Sequence, residues 1–330
     1  MTFREIIGHA DTVRRLLAAS RRGVAHAYLL HGPDGIGKRA VADAFAAWLL
    51  CEQPGDDACG TCRQCTRTQA GTHPDLQVVA RDEERRDIRI EQTRALVRSL
   101  GLRPMMARRK VAIVDGAHLL NEQSQNALLK TLEEPPGASV VILTATRASQ
   151  LLPTVRSRCQ AIALGPLERA EIEAALRARG VGDAEAVVLA GQAAGSLGRA
   201  LALRGPEHAT MRQRVLDVLG DLRARSAAEL SSLAQEIGRG TPGPALEVML
   251  GWYRDLLAYA CGRPALAGRH SDRVPSLAAA GAATTPARVL RQLARVCDTI
   301  LALERNANRV LAVETMLLAL RRLDRQTSSP

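Results

Sequence analysis

The sequence predicts an α/β domain over residues 1–165, a small helical lid over 166–205 and an all-helical C-terminal domain over 206–330, with a four-cysteine module inserted at about 51–72. Three observations lead there. A glycine-rich phosphate loop follows a short apolar run and opens a helix. Short apolar runs then alternate with helical stretches as far as about Leu164, and beyond that point the pattern is helical throughout. Such alternation implies a parallel sheet covered by helices on both faces, with phosphate ligands at the carboxyl ends of its strands.

The run Ala27-Tyr28-Leu29-Leu30-His31 is the first strand and leads into the loop. A helix follows from Ile36 to Cys51, with Val41, Phe45, Trp48 and Leu49 on one face. Strand, glycine loop and helix in that order are the setting a phosphate loop requires. Beyond the cysteines come a strand at Leu76–Val79 and a helix from about Ile90 to Leu100. A strand at Val111–Asp115, a helix from about Asn121 to Glu134 and a strand at Val140–Thr144 complete the alternation. Pro135-Pro136 stops the last of these helices, because proline lacks the amide donor and clashes with the preceding turn. Glu168–Arg179 and Ala184–Gln192 are helical, and a short helix follows Gly195-Ser196. From Pro206 onward helices are broken at Gly238–Pro244 and over the loop Gly262–Ser276, and the tail Gln326–Pro330 frays. No solenoid repeat is visible.

With 330 residues, 46% of them hydrophobic, the chain can fill two or three cores. Its start, Met1-Thr2-Phe3-Arg4-Glu5, is no apolar leader, and no run approaches the ~18 apolar residues of a membrane span. Seven cysteines in such a chain suit metal binding or buried thiols in a reducing compartment. A soluble cytoplasmic protein, away from membranes, is the expectation. The net charge of +11 fits either a weak phosphate-backbone contact or a generic basic surface. Lysine occurs only at Lys38, Lys110 and Lys130, arginine being spread everywhere else, and aromatics at 2% are too few for a base-stacking platform.

The loop Gly32-Pro33-Asp34-Gly35-Ile36-Gly37-Lys38-Arg39 fits the G-x-x-x-x-G-K-[ST] pattern until its last residue. Gly32, Gly35 and Gly37 let amide N–H groups turn inward, and Lys38 adds a point charge, so a phosphate cradle for ATP or ADP is one reading and a tight turn without ligand the other. Arg39 replaces the hydroxyl that would coordinate Mg²⁺. Downstream, Asp115 ends its strand as a metal-side carboxylate, but Gly116 stands where such an ATPase needs a glutamate to orient water. Hydrolysis requires both parts, so no turnover is expected.

Cys51, Cys59, Cys62 and Cys65 are spaced C-x7-C-x2-C-x2-C. Thiolates at that density match a closed tetrahedral zinc shell, with an iron–sulfur centre or simple buried thiols as the alternatives. Cys159, Cys261 and Cys297 lie apart and read as buried thiols. Ser157-Arg158-Cys159 follows the Val140–Thr144 strand; an arginine at the edge of a nucleotide domain can serve a phosphate held next door, or it can be an ordinary surface residue.

The run Asn126-Ala127-Leu128-Leu129-Lys130-Thr131-Leu132-Glu133-Glu134-Pro135-Pro136, together with Ser157-Arg158-Cys159, resembles the bacterial clamp-loader branch of the AAA+ ATPases, and the cysteine cluster resembles that family's zinc module. The resemblance runs to about Leu203, and Leu303–Glu314 is similar to the collar ending of one member whose own site is inactive.

The resemblance implies a RecA-like AAA+ domain carrying a P-loop, a lid, and a collar that joins several subunits in a ring. Arg158 would act on ATP bound by the adjacent motor subunit. The partners would be the ring's ATPase subunits and its delta subunit, with the sliding clamp and primed DNA reached through the assembly. Gly195-Ser196-Leu197-Gly198-Arg199 puts an arginine one residue later than the family's second sensor, and Thr146 matches its first sensor loosely. The chain itself carries no polymerase chemistry, which would belong to the holoenzyme. Three rivals are an active ATPase motor of a related ring, a zinc-dependent nucleic-acid-binding module, and a degenerate P-loop scaffold from another pathway. The first needs Arg39 and Gly116 to be replaced in function from elsewhere, and the second predicts steep salt dependence of binding.

Overall fold

The computed structural model describes residues 2–82 and 87–325; the expected fraying of Gln326–Pro330 lies outside them. The elements in order are α1 (Ala10–Arg22), β1 (Ala27–His31), α2 (Lys38–Leu50), α3 (Arg63–Gln69), β2 (Leu76–Val79), α4 (Ile90–Leu100) and β3 (Lys110–Val114). Then come α5 (Glu122–Glu133), β4 (Ser139–Ala145), α6 (Pro153–Arg156), β5 (Gln160–Ala163), α7 (Arg169–Arg177), α8 (Asp183–Gln192) and α9 (Leu197–Ala202). The remainder is helical: α10 (Pro206–Gly220), α11 (Ala227–Arg239), α12 (Pro242–Ala260), α13 (Val274–Ala282), α14 (Pro286–Glu304) and α15 (Arg309–Arg325).

The chain divides into two compact units, one running to Ala175 and including Gly195–Arg199, the other comprising Leu176–Ala194 and the chain from Ala200. In the first, five strands lie in the order β2-β3-β4-β1-β5, with every pairing parallel. Period-two alternation sorts their side chains onto two faces. Tyr28, Leu30, Val111, Ile113, Val140 and Ile142 pack with Leu16, Val41 and Phe45 of α1 and α2. Ala27, Leu29, Ala112, Val114, Val141 and Leu143 pack with Leu96 of α4 and with Leu128 and Leu132 of α5. This is the α/β sheet expected, with a helical C-terminal region and a cysteine cluster after α2.

Three elements go beyond the sequence reading. Helix α1 buries Val13, Leu16, Leu17 and Ser20 at helical spacing among charged neighbours. Strand β5 holds a short apolar run, Ala161-Ile162-Ala163, of which the flanking alanines are exposed, and pairing with β1 is what makes it a strand. Helix α3 forms inside the cysteine module, with Cys62 Sγ accepting from the Cys65 amide at its start. The break foreseen at Gly238–Pro244 shrinks to Gly240-Thr241, because a proline at the first helical position lacks only a hydrogen bond that no residue there makes. In the second unit α12 is central, and its Trp252, Tyr253 and Leu256 join a core with residues of α10, α11, α14 and α15. Among the described residues no helix is long and apolar enough to cross a membrane.

Candidate functional site

The phosphate loop joins the carboxyl end of β1 to α2, with Gly32, Gly35 and Gly37 at φ of 154°, 69° and 104°. Gly35 meets a second glycine. The Gly198 amide donates to Gly35 O at 2.8 Å, and a Cβ on Gly198 would stand 2.9 Å from Gly35 Cα. The segment Gly195–Arg199 thus lies directly on the loop, pinned also by Leu167 N donating to Gly195 O at 2.8 Å. Only residues without side chains permit so close a backbone approach.

Lys38 is buried, and its Nζ donates to Gly32 O at 2.8 Å and Pro33 O at 2.7 Å. Burial lowers its pKa, opposed by Asp34 and Asp115. Next to it Arg39 bridges two carboxylates. Its Nε donates to both oxygens of Asp43 at 2.9 and 3.0 Å, and Nη1 donates to Asp115 Oδ2 at 3.3 Å. The other oxygen of Asp115 accepts from Thr144 Oγ1 at 2.6 Å, and that hydroxyl accepts from the Gly116 amide at 2.9 Å. Both oxygens of the Asp115 carboxylate are therefore engaged within the chain. Gly116 sits at φ 79°, a left-handed conformation that a glutamate side chain would occupy under strain. Thr146 donates from Oγ1 to Gln150 Oε1 at 3.0 Å, and the Arg199 amide donates to Ser196 Oγ at 3.1 Å.

Arg158 stands at the other end of the sheet. In the parallel pairing of β1 and β5, Tyr28 faces Gln160 and His31 faces Ala163. The segment before Gln160 therefore enters at the amino ends of the strands, on the order of 10 Å or more from the phosphate loop at about 3.3 Å per residue. There Arg158 Nη2 lies 2.8 Å from Glu133 Oε1 and Nη1 donates to Thr154 O at 2.9 Å.

The four clustered cysteines converge: the Sγ atoms of Cys51, Cys59, Cys62 and Cys65 all lie within 4.8 Å of one another. A tetrahedral zinc with bonds of about 2.3 Å sets thiolate separations near 3.8 Å, and the Cys59–Cys65 separation is 3.9 Å. Amides of Cys59, Cys62 and Cys65 donate to the sulfurs of Cys51, Cys59 and Cys62 at 3.4, 3.3 and 3.5 Å. Hydrogen bonds from the Thr61 and Cys62 amides bring the Cys59 thiol down to about 6, whereas burial raises Cys51 and Cys65. Zinc fits this donor set. Of the other thiols, which were expected to be buried, Cys159 is half-buried but Cys261 and Cys297 are exposed. Cys261 caps the end of α12, and Cys297 lies on the outer side of α14, away from the stripe of Val289 and Val296.

The module is tied down on two sides. Asp57 Oδ1 and Oδ2 accept from the amides of Phe3 and Arg4 at 3.0 and 3.1 Å, Trp48 Nε1 donates to Gly55 O at 3.1 Å, and Arg21 pairs with Asp56. On the other side His73 Nε2 meets Gln64 Oε1 at 2.8 Å while His73 Nδ1 accepts from the Asp75 amide at 3.0 Å. The buried Asp75 carboxylate accepts from the amides of Met105, Met106 and Ala107 at 2.7, 2.8 and 2.9 Å. None of these tethers has a sequence signature, since each joins residues far apart in the chain or a side chain to a backbone group.

Comparison with known proteins places this geometry in context. A family described as DNA polymerase III, delta subunit, matches residues 9–168. A DNA polymerase III subunit delta' from Pseudomonas aeruginosa is 48% identical over 136 residues, 41% of this chain and 42% of that protein. The Escherichia coli K12 protein of the same name is 38% identical over 154 residues, 46% of either chain. The match thus spans less than half the length of these two relatives. The Bacillus subtilis protein of that name is 30% identical over 252 residues, 72% of this chain and 74% of that one.

Proposed function

The chain belongs to the DNA polymerase III delta-prime family, and on that premise we propose that it is the non-hydrolysing stator of the replicative clamp loader. In this reading it helps to place the sliding clamp on primed DNA and lends Arg158 to the ATP site of an adjacent ATPase subunit. Its partners are the motor subunits and the delta subunit of a hetero-oligomeric ring. In this reading the AAA+-type domain spans 1–165 and the lid 166–205, the collar at 206–330 joins the ring, and the subunit contributes a rigid wall to it.

The observation that carries this reading is the opposition of two sites on one sheet. The phosphate loop lies at the carboxyl end of the strands with Arg39 and Thr144 engaging Asp115, while Arg158 lies at the amino end, held by Glu133 and Thr154 O. A guanidinium placed there serves a phosphate that this chain does not hold, and such an arginine contributes about 10³–10⁵ in rate to phosphoryl transfer. Arg39 puts a fixed positive charge where a nucleotide's Mg²⁺ would need the Asp115 side, so ATP or ADP bound by Lys38 and the glycines would not turn over. Four thiolates hold zinc as a structural ion with no open position. The subunit is then no enzyme by itself, and any polymerase activity is that of the holoenzyme.

The test is the DNA- and clamp-stimulated ATPase of the reconstituted assembly, with Arg158→Ala or Lys38→Ala in this chain alone. The stator reading expects Arg158→Ala to lower the rate on the order of tenfold or more and Lys38→Ala to leave it near wild type. The reverse pattern would mean that this loop itself turns over nucleotide.

A further inference from the structure

Arg158 is held before any neighbour arrives. Besides the ion pair of Nη2 with Glu133, its Nη1 donates to Thr154 O and reaches Ser157 Oγ at 3.5 Å, so three contacts hold the guanidinium. The Arg158 side chain is 35% exposed and that of Glu133 48% exposed, so the pair is open to a neighbour. An ion pair so open to water contributes little to folding, so stability alone does not account for it.

The placement of Glu133 is itself rigid. It is the last residue of α5, and the Glu134 amide after it closes the helix on Lys130 O before Pro135-Pro136. Helix α5 is fixed to α6 by the buried Gln125, whose Oε1 accepts from Leu152 N at 2.8 Å and whose Nε2 donates to Leu120 O at 3.1 Å. Val155 of α6 packs with Leu128 and Leu132 of α5 in one core. The carboxylate and the root of Arg158 are thus set on two helices that cannot drift apart without breaking a buried contact.

We propose that Glu133 is the positioning residue for Arg158: it orients the guanidinium for a phosphate held by the neighbouring subunit. This rests on the reading of Arg158 as an arginine acting in trans. A long flexible side chain that must adopt one geometry loses freedom on reaching it, and anchoring it beforehand removes that loss from the encounter. The opposite role, in which Glu133 sequesters the arginine by its charge, is separated by the neutral isostere. Glutamine keeps an acceptor oxygen at the same reach and removes the charge.

The experiment is the stimulated ATPase of the reconstituted assembly carrying Glu133→Ala, Glu133→Gln, Arg158→Ala or Glu133→Ala with Arg158→Ala in this chain. Positioning expects Glu133→Ala to lower kcat on the order of tenfold, within the up to ~10²-fold that small misplacements cost, with KM for ATP unchanged. Glu133→Gln should restore most of the rate, and the double variant should match Arg158→Ala alone. If Arg158→Ala lowers the rate but Glu133→Ala does not, or if their losses multiply in the double variant, Glu133 does not act through Arg158. Faster turnover in both Glu133 variants would establish sequestration and overturn positioning. If Arg158→Ala itself changes nothing, the trans reading fails first. Thermal unfolding of each purified variant separates these outcomes from misfolding; Glu133 is exposed, so wild-type midpoints are expected.

Discussion

The guanidinium of Arg39 reaches the carboxylate of Asp115 at 3.3 Å, across a sequence separation of 76 positions, while holding Asp43 with its other edge. One guanidinium thus ties the first turn of α2 to the end of β3.

Restoring the missing groups should not restore an ATPase. With Gly116 at φ 79°, Arg39→Ser combined with Gly116→Glu would force a glutamate into left-handed backbone at about 1–2 kcal/mol. The isolated double variant should denature at lower urea concentration than wild type and show no Mg²⁺-dependent hydrolysis. Measurable turnover would mean that the backbone at 116 relaxes to the conformation an active site uses.

The His73 imidazole should titrate below its free value. Burial lowers its pKa first, Asp75 opposes that and Arg67 reinforces it. Because Nδ1 accepts from the Asp75 amide, the neutral ring carries its proton on Nε2 toward Gln64 Oε1, and a second proton would set two donors against each other. A histidine with a depressed folded pKa contributes stability that is present above its unfolded pKa of about 6.5 and is lost as pH falls toward the folded value. Imidazole NMR titration of the zinc-loaded chain should give a His73 pKa under ~6.5, and a value at or above that would contradict the geometry.

Asp57 should couple the cysteine module to the beginning of the chain. Asp57→Ala is expected to speed hydrogen exchange at the Phe3 and Arg4 amides while leaving one zinc per chain bound. Cys62→Ser should lose the metal and release the same amides. Protection of Phe3 and Arg4 that survives both substitutions would show that the turn stands without the module.

In the second unit the buried Asp255 accepts from the amides of Gly268, Arg269 and His270 at 3.1, 2.9 and 2.8 Å and lies 3.4 Å from His270 Nδ1. Asp255→Ala leaves those amides without their acceptor and should cost about 3–5 kcal/mol in chemical denaturation. Asp255→Asn, which keeps one oxygen, should cost less. Equal losses would assign the effect to the carboxylate's charge, since asparagine keeps its shape and one acceptor oxygen.

Much of the first unit was legible. β1 and β2 are apolar runs whose bounds coincide with the reading, and α4 does so through its periodic Thr93, Leu96 and Leu100. The Cys62–Cys65 spacing already carries its own geometry, because C-x2-C allows the amide-to-sulfur bond found there. What escaped was set by distant pairing. β5 exists because β1 lies beside it, Gly198 settles on Gly35 across a long excursion of the chain, and Glu133 meets Arg158 only once α5 and α6 are packed. Local propensity holds no record of such contacts.

The tether from Asp57 to the amides of Phe3 and Arg4 spans 54 and 53 positions and bears on the order of events during synthesis. Phe3 and Arg4 are synthesised before Asp57, yet that carboxylate is fixed only when the cysteines that flank it, Cys51, Cys59, Cys62 and Cys65, have converged. Loop closure over that distance must come before the contact rewards it. The contact at Phe3 and Arg4 is thus completed only after the turn that carries Asp57 has closed.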